Sequence, residues 1–284
     1  MASVFGSTLK RWLAYHPKVL AFRWQRGENQ AASYHFMISS VLAYLFLVYV
    51  FHSLMKLKKR PMPLGPVPVL HNLVLALGSL VMFAGCLQST LVEIQESRWL
   101  WGPKSGRLLL LCFPPGTRPV GRVFFWSYMY YLSKYYELVD TFILILKKRQ
   151  LTFLHVFHHA TVIFMSFFWL EFAMSLQIVA LLTNSGVHVV MYTYYFLCSI
   201  GKPPPWKKLV TNSQIVQFIF SFVASIGTLW FHFTTGEGCA GMGAWVFNAV
   251  FNVILLALFL SFHRKQYGKR KAAGGKGKDS TKEE

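Results

Sequence analysis

The sequence predicts an all-α, polytopic membrane protein with seven transmembrane helices. Three observations lead there. Of 284 residues, 54% are hydrophobic and 17% aromatic, so a soluble fold of this size would expose far too much apolar surface. Apolar segments of roughly 20 residues, the length that crosses ~30 Å of hydrocarbon as a helix, recur seven times. Lys and Arg gather in every second connection between them. The chain divides into a lumenal N-terminal segment, 1–33, a seven-helix domain, 34–263, and a disordered basic cytosolic tail, 264–284.

Met1 to Gln30 is polar and basic with no central apolar run, so it does not read as a cleavable signal, and the first helix directs insertion. The apolar segments run near 34–55, 67–90, 123–146, 152–171, 174–199, 209–233 and 243–263. Only Glu171 to Ser175 separates the fourth from the fifth, which predicts a helical hairpin. Lys202 to Lys208, KPPPWKK, reads as a stiff basic loop, and the sequence from Gly268 on is low in complexity and reads as disordered.

The 29 Lys and Arg residues against 10 Asp and Glu give a formal charge of +19. In a soluble chain that would suggest nucleic acid. Here the basic residues lie between apolar runs, so the expected partner is the lipid bilayer and no nucleic acid. Lys56, Lys58, Lys59 and Arg60, then Lys147, Lys148 and Arg149, then Lys202, Lys207 and Lys208, then the tail, all share one side after seven crossings. The positive-inside rule makes that side cytosolic and the N-terminus lumenal. The basic N-terminus and the Arg98 to Arg122 loop run against this, though long connections count for less. Cys112 and Cys239 then both fall in non-cytosolic loops, where disulfides persist; they are expected to pair, two free thiols being the alternative.

The fourth segment carries His155, His158 and His159 at i, i+3, i+4, one helical face. A lone histidine there would be a packing residue; three on one stripe point to an interior cavity. The third segment contains KYYELVDT, with Lys134, Glu137 and Asp140 roughly on one face. The fifth presents Asn184, His188, Met191, Tyr192 and Tyr195 on one stripe, and the sixth places Gln214 three before Gln217. Each set alone has a plain reading: interhelical glue, an interfacial belt, a self-neutralised pair. Depth argues otherwise. Counted from the basic edge, His158 lies roughly 13 Å in, His188 about 16, Glu137 about 15, Asp140 about 10 and Gln217 about 13. Residues from helices of opposite direction meet in one layer, as in an active or transport site. A histidine-ligated di-iron centre needs roughly eight ligands in several boxes, and only one HxxHH box is present, although a smaller metal site stays open. Acid–base or nucleophilic chemistry by imidazole suits the layer better, with Asp140 or Glu137 orienting a ring.

The segments KYYELVDT (134–141), HVFHH (155–159), NSGVHVVMYTYY (184–195) and TNSQIVQF (211–218), in that order, resemble the ELO family of very-long-chain fatty acid elongases. HxxHH alone is a weak signal; the four together are specific. The resemblance implies a 3-ketoacyl-CoA synthase of the endoplasmic reticulum membrane. Such an enzyme joins a long-chain acyl-CoA and malonyl-CoA, releases CO2 and CoA, and uses no metal and no cofactor beyond these substrates. It implies six helices in a ring around a narrow acyl tunnel with the first segment outside. It implies an acyl-imidazole intermediate, with His158 as nucleophile, His188 as its partner, and His155 and His159 completing the box. A lumenal cysteine pair is also a family feature. Tyr192, Asn184 or Gln217 would supply donors to an enolate, and Lys147, Lys148, Arg149, Lys202, Lys207 and Lys208 would meet CoA phosphates, their topological role being compatible. The other enzymes of the elongation cycle, and a second copy of the chain, are the protein partners implied. Phe157 and Gln150 point to different degrees of substrate unsaturation, and the terminal TKEE lacks the usual second lysine for retrieval. The rival from another class is a proton-coupled transporter with the His, Asp and Glu layer as relay, which internal repeats and broken helices would favour.

Overall fold

A computed structural model describes residues 8, 10–101 and 110–265. From residue 266 on, the expected disordered tail lies outside the described residues, as does the middle of the Arg98 to Arg122 loop. Among the described residues the fold is all-helical, apart from an isolated bridge between Arg23 and Val120. After the short α1 (Pro17–Leu20) come α2 (Tyr34–Leu57), α3 (Val67–Trp101), α4 (Arg122–Glu137), α5 (Val139–Leu146), α6 (Phe153–Glu171), α7 (Gln177–Ser199), α8 (Lys207–Thr234) and α9 (Met242–His263).

Local chemistry sets several boundaries. Ser33 and Thr152 sit in extended conformation before α2 and α6, and their hydroxyls accept from the amides of Phe36 and His155. Two expectations are corrected. The second helix runs past 90 to Trp101, because its polar end is used: Glu93 and Glu96 pair with Arg122. The third segment is not one helix, since the chain tightens at Leu138 and leaves helices of 16 and 8 residues. No Gly or Pro marks that break; Thr141 N–H bonds to Leu138 three residues back instead of four. Smaller shifts put the start of the fifth segment at Gln177 and let Lys207 and Lys208 begin α8.

Six positions form a ring in which each helix packs on the next: α3, α4 with α5, α6, α9, α8, α7 and back to α3. α2 stands outside, against α5 and α6. Close approach needs small residues: a Cβ on Gly85 would lie 2.2 Å from the Trp126 ring, which seats α3 on α4. Gly241, with φ +70, lets α9 begin against the backbone of Phe172 and Met174. α2, α3, α6, α8 and α9 are long and apolar enough to cross a membrane. The other two ring places hold the helices that carry the polar layer. Leu42, Phe46, Ile226, Trp230 and Phe233 point outward, exposed, as lipid-facing side chains do. The chain is therefore a multi-pass membrane protein.

The two ends of the ring differ. One gathers the basic connections, with Met62 N–H bonded to Leu146 O and Lys148 donating to Lys58 O. At the other, Trp24 and Gly121 bond to Pro119 and Phe22, Trp24 Nε1 donates to Glu171 Oε2 at 3.0 Å, and Arg26 pairs with the same carboxylate. There Cys112 and Cys239 are disulfide-bonded, 5.1 Å apart at Cα.

Candidate active site

α4 and α5 organise the polar layer. Lys134 and Glu137, one turn apart, are 0% and 1% exposed. Lys134 Nζ donates to Glu137 Oε1 at 2.7 Å and lies 3.9 Å above the Tyr130 ring. It also reaches Asn184 Oδ1 at 3.5 Å, which accepts the Tyr130 hydroxyl at 2.8 Å. With Oδ1 held by two donors, the Asn184 amide nitrogen is turned to other partners. His188 Nδ1 stands 3.6 Å from Glu137 Oε1, an ion-pair separation rather than a hydrogen bond. A buried ion pair is costly to assemble and seldom kept for stability alone.

The break at Leu138 re-aims the next turn. Asp140 Oδ1 lies 2.8 Å from His71 Nε2, and Oδ2 accepts the Tyr192 hydroxyl at 2.7 Å. The Tyr192 ring meets His188 edge-on at 5.4 Å. Thr141 Oγ1 lies 2.9 Å from the Tyr44 hydroxyl and 3.0 Å from His155 Nε2.

The three histidines of α6 are therefore unequal. His155 is tied to Thr141. His159, buried, tilts its ring 4.4 Å from His155 and meets His158 edge-on at 5.4 Å, and its Nδ1 has no partner among the described residues. His158 Nδ1 is likewise buried without a partner among the described residues, and its ring lies nearly parallel to Phe251 at 6.3 Å. His158 is within electrostatic reach of His188, Lys134 and Glu137. It also lines a narrow cavity that it shares with Asn184, Gln217, Asn248 and Phe251. The cavity runs along α6 past Met165 to Trp169, whose ring stacks on Tyr130 at 5.3 Å. It thus extends from the histidine away from the basic end.

Lys134, Glu137, His188, Asn184, Asp140, Tyr192, the three α6 histidines and Gln217 come together. The other expected residues stand apart. Gln214 donates to Met191 Sδ at 3.3 Å rather than lining the cavity, and Tyr195 is 42% exposed. Lys147 lies half-buried at the basic end, with Lys148, Arg149, Lys202, Lys207 and Lys208 exposed around it. Among the described residues, no three His, Cys, Asp or Glu side chains converge on a metal-sized site. Sequence reasoning missed His71, Tyr130, Asn248 and Asn252. The available signals were a lone His71 in an apolar run and the Asn248, Asn252 pair one turn apart in another.

Comparison with known proteins points one way. The description "GNS1/SUR4 family" matches residues 29–275 under the ELO model. Fatty acid elongase 3-like of Arabidopsis thaliana is 36% identical over 274 residues, 94% of each chain. Fatty acid elongase A of Dictyostelium discoideum is 34% identical over 258 residues, 88% of this chain and 89% of that one. Very long chain fatty acid elongase 5 of Homo sapiens is 33% identical over 253 residues, covering 83% and 75%.

Proposed function

The chain belongs to the ELO (GNS1/SUR4) family, and from that premise we propose that it is a condensing enzyme of fatty acid elongation. It joins a long-chain acyl-CoA to malonyl-CoA and releases CO2 and CoA, giving a 3-ketoacyl-CoA two carbons longer. One observation carries the reading: His158, with Nδ1 buried and unpartnered among the described residues, opens onto a cavity it shares with Asn184 and Gln217. A nucleophile must not be tied up, and of the box histidines His155 is.

In the first step the His158 lone pair attacks the thioester carbonyl, the C–S bond breaks and CoA leaves. In the second, malonyl-CoA loses CO2, the enolate carbon attacks the acyl-imidazole, and the C–N bond breaks to return the imidazole. The Asn184 amide nitrogen and Gln217 are the better donors to the developing oxyanion, because the Tyr192 hydroxyl is engaged by Asp140. Tyr192 instead braces His188. The acyl tail occupies the cavity, each buried methylene contributing ~0.8 kcal/mol. The CoA phosphates meet Lys147, Lys148, Arg149, Lys202, Lys207 and Lys208 at the basic end. That end faces the cytosol and the N-terminus the lumen of the endoplasmic reticulum, as the positive-inside rule requires. No metal or cofactor enters the scheme, and the other elongation-cycle enzymes, with a second copy of the chain, are the partners it calls for.

Purified protein with labelled malonyl-CoA and a panel of acyl-CoAs tests this. Release of CO2 and a product longer by two carbons is expected. His158→Ala lowers turnover by roughly 10³-fold or more at unchanged melting temperature. With acyl-CoA alone, intact-mass measurement shows an adduct that maps to the peptide containing His158. A folded protein that turns over no chain length overturns the assignment, and an adduct elsewhere overturns the imidazole step.

A further inference from the structure

The cavity is more polar than a hydrocarbon tail requires. Asn248 on α9 is 1% exposed, lines the cavity, and has no partner for Nδ2 among the described residues. One turn on, Asn252 donates to Ser221 Oγ at 3.1 Å, and both residues line the same space. A buried amide N–H without an acceptor is a standing cost, greater where the surroundings are lipid and protein. An all-methylene chain threaded past Asn248 leaves that cost in place. A chain bearing an oxygen at that height removes it.

The height follows from α9. Phe251 stacks on His158, and Asn248 is three residues earlier, ~5 Å further along the direction in which the cavity leaves the histidine. That distance corresponds to the part of an acyl tail a few bonds beyond its carbonyl. We propose that the cavity selects fatty acyl chains carrying a hydroxyl on the carboxyl-proximal part of the tail, with Asn248 Nδ2 donating to the hydroxyl oxygen. The inference rests on the elongase reading and names its substrate class.

The full-length protein is assayed with acyl-CoAs of one length, unsubstituted or bearing a single hydroxyl at successive carbons from the carboxyl end. At one position kcat/KM exceeds that of the unsubstituted chain by about tenfold, the effect of one satisfied hydrogen bond. In Asn248→Leu that ratio falls to about one. Absence of a favoured position in the wild-type profile overturns the proposal whether or not the variant folds. An equal loss on both substrate classes also overturns it, since Asn248 would then serve every chain alike. Elongation of the unsubstituted chain with no hydroxyl preference defeats this inference alone. No elongation of any chain defeats the elongase reading, and this inference falls with it.

Discussion

At the end of the ring far from the basic loops, Glu171 holds both Trp24 and Arg26, Ser175 bonds Phe113 and Ala240, and Cys112 is bonded to Cys239. Nearer the basic end the bonds are of another kind. Lys134 bonds Glu137 beside His188, Asp140 bonds His71 and Tyr192, all within helices, and several buried polar atoms there have no partner among the described residues, including Glu137 Oε2 and His158 Nδ1. One region is built to hold, and the other carries the groups the proposed chemistry would use. A closed, cross-linked end lets the opposite half carry charges and unpaired polar atoms that would otherwise loosen the bundle.

Four variants test that division. The largest effect is expected from Glu137→Gln, which leaves the Lys134 ammonium buried without its carboxylate and costs about 3–5 kcal/mol. Lys134→Met with Glu137→Leu removes both charges and should be less destabilised than the single variant, while elongation is lost in both. Denaturant melts in detergent check this; a double variant as unstable as the single one breaks the comparison. Next is Cys239→Ser, expected to cost about 2–4 kcal/mol of stability, with elongation at low temperature retained. Activity lost at a temperature where the variant is still folded would show that the latched end takes part in the chemistry. The smallest is Lys207→Ala with Lys208→Ala. Both side chains are exposed, so the KM for CoA substrates should rise only several-fold, with kcat nearly constant and the effect shrinking in high salt. An unchanged KM would leave these lysines with orientation alone.

Much of this was legible in the sequence because helical geometry is so regular. The i, i+3, i+4 histidines and the Lys134–Glu137 spacing imply shared faces, and counting rises from the basic edges puts them at one depth. The resemblance supplied the ring, which no periodicity could. What stayed hidden depends on neighbours distant in the chain. His71 finds Asp140 69 residues on, and Asn252 finds Ser221 only because α9 lies beside α8. The break at Leu138 left no mark either, since no helix-breaking residue is there. The extension of α3 past 90 brings Glu93 and Glu96 to Arg122, again a partner distant in the chain.

The Cys112–Cys239 link makes a covalent hoop of everything between the two sulfurs, α4 through α8. A protease cut at Lys147 to Arg149 or at Lys202 would therefore sever the backbone without parting the molecule. The nicked protein would run as a single species until a reducing agent is added, and only then as two fragments.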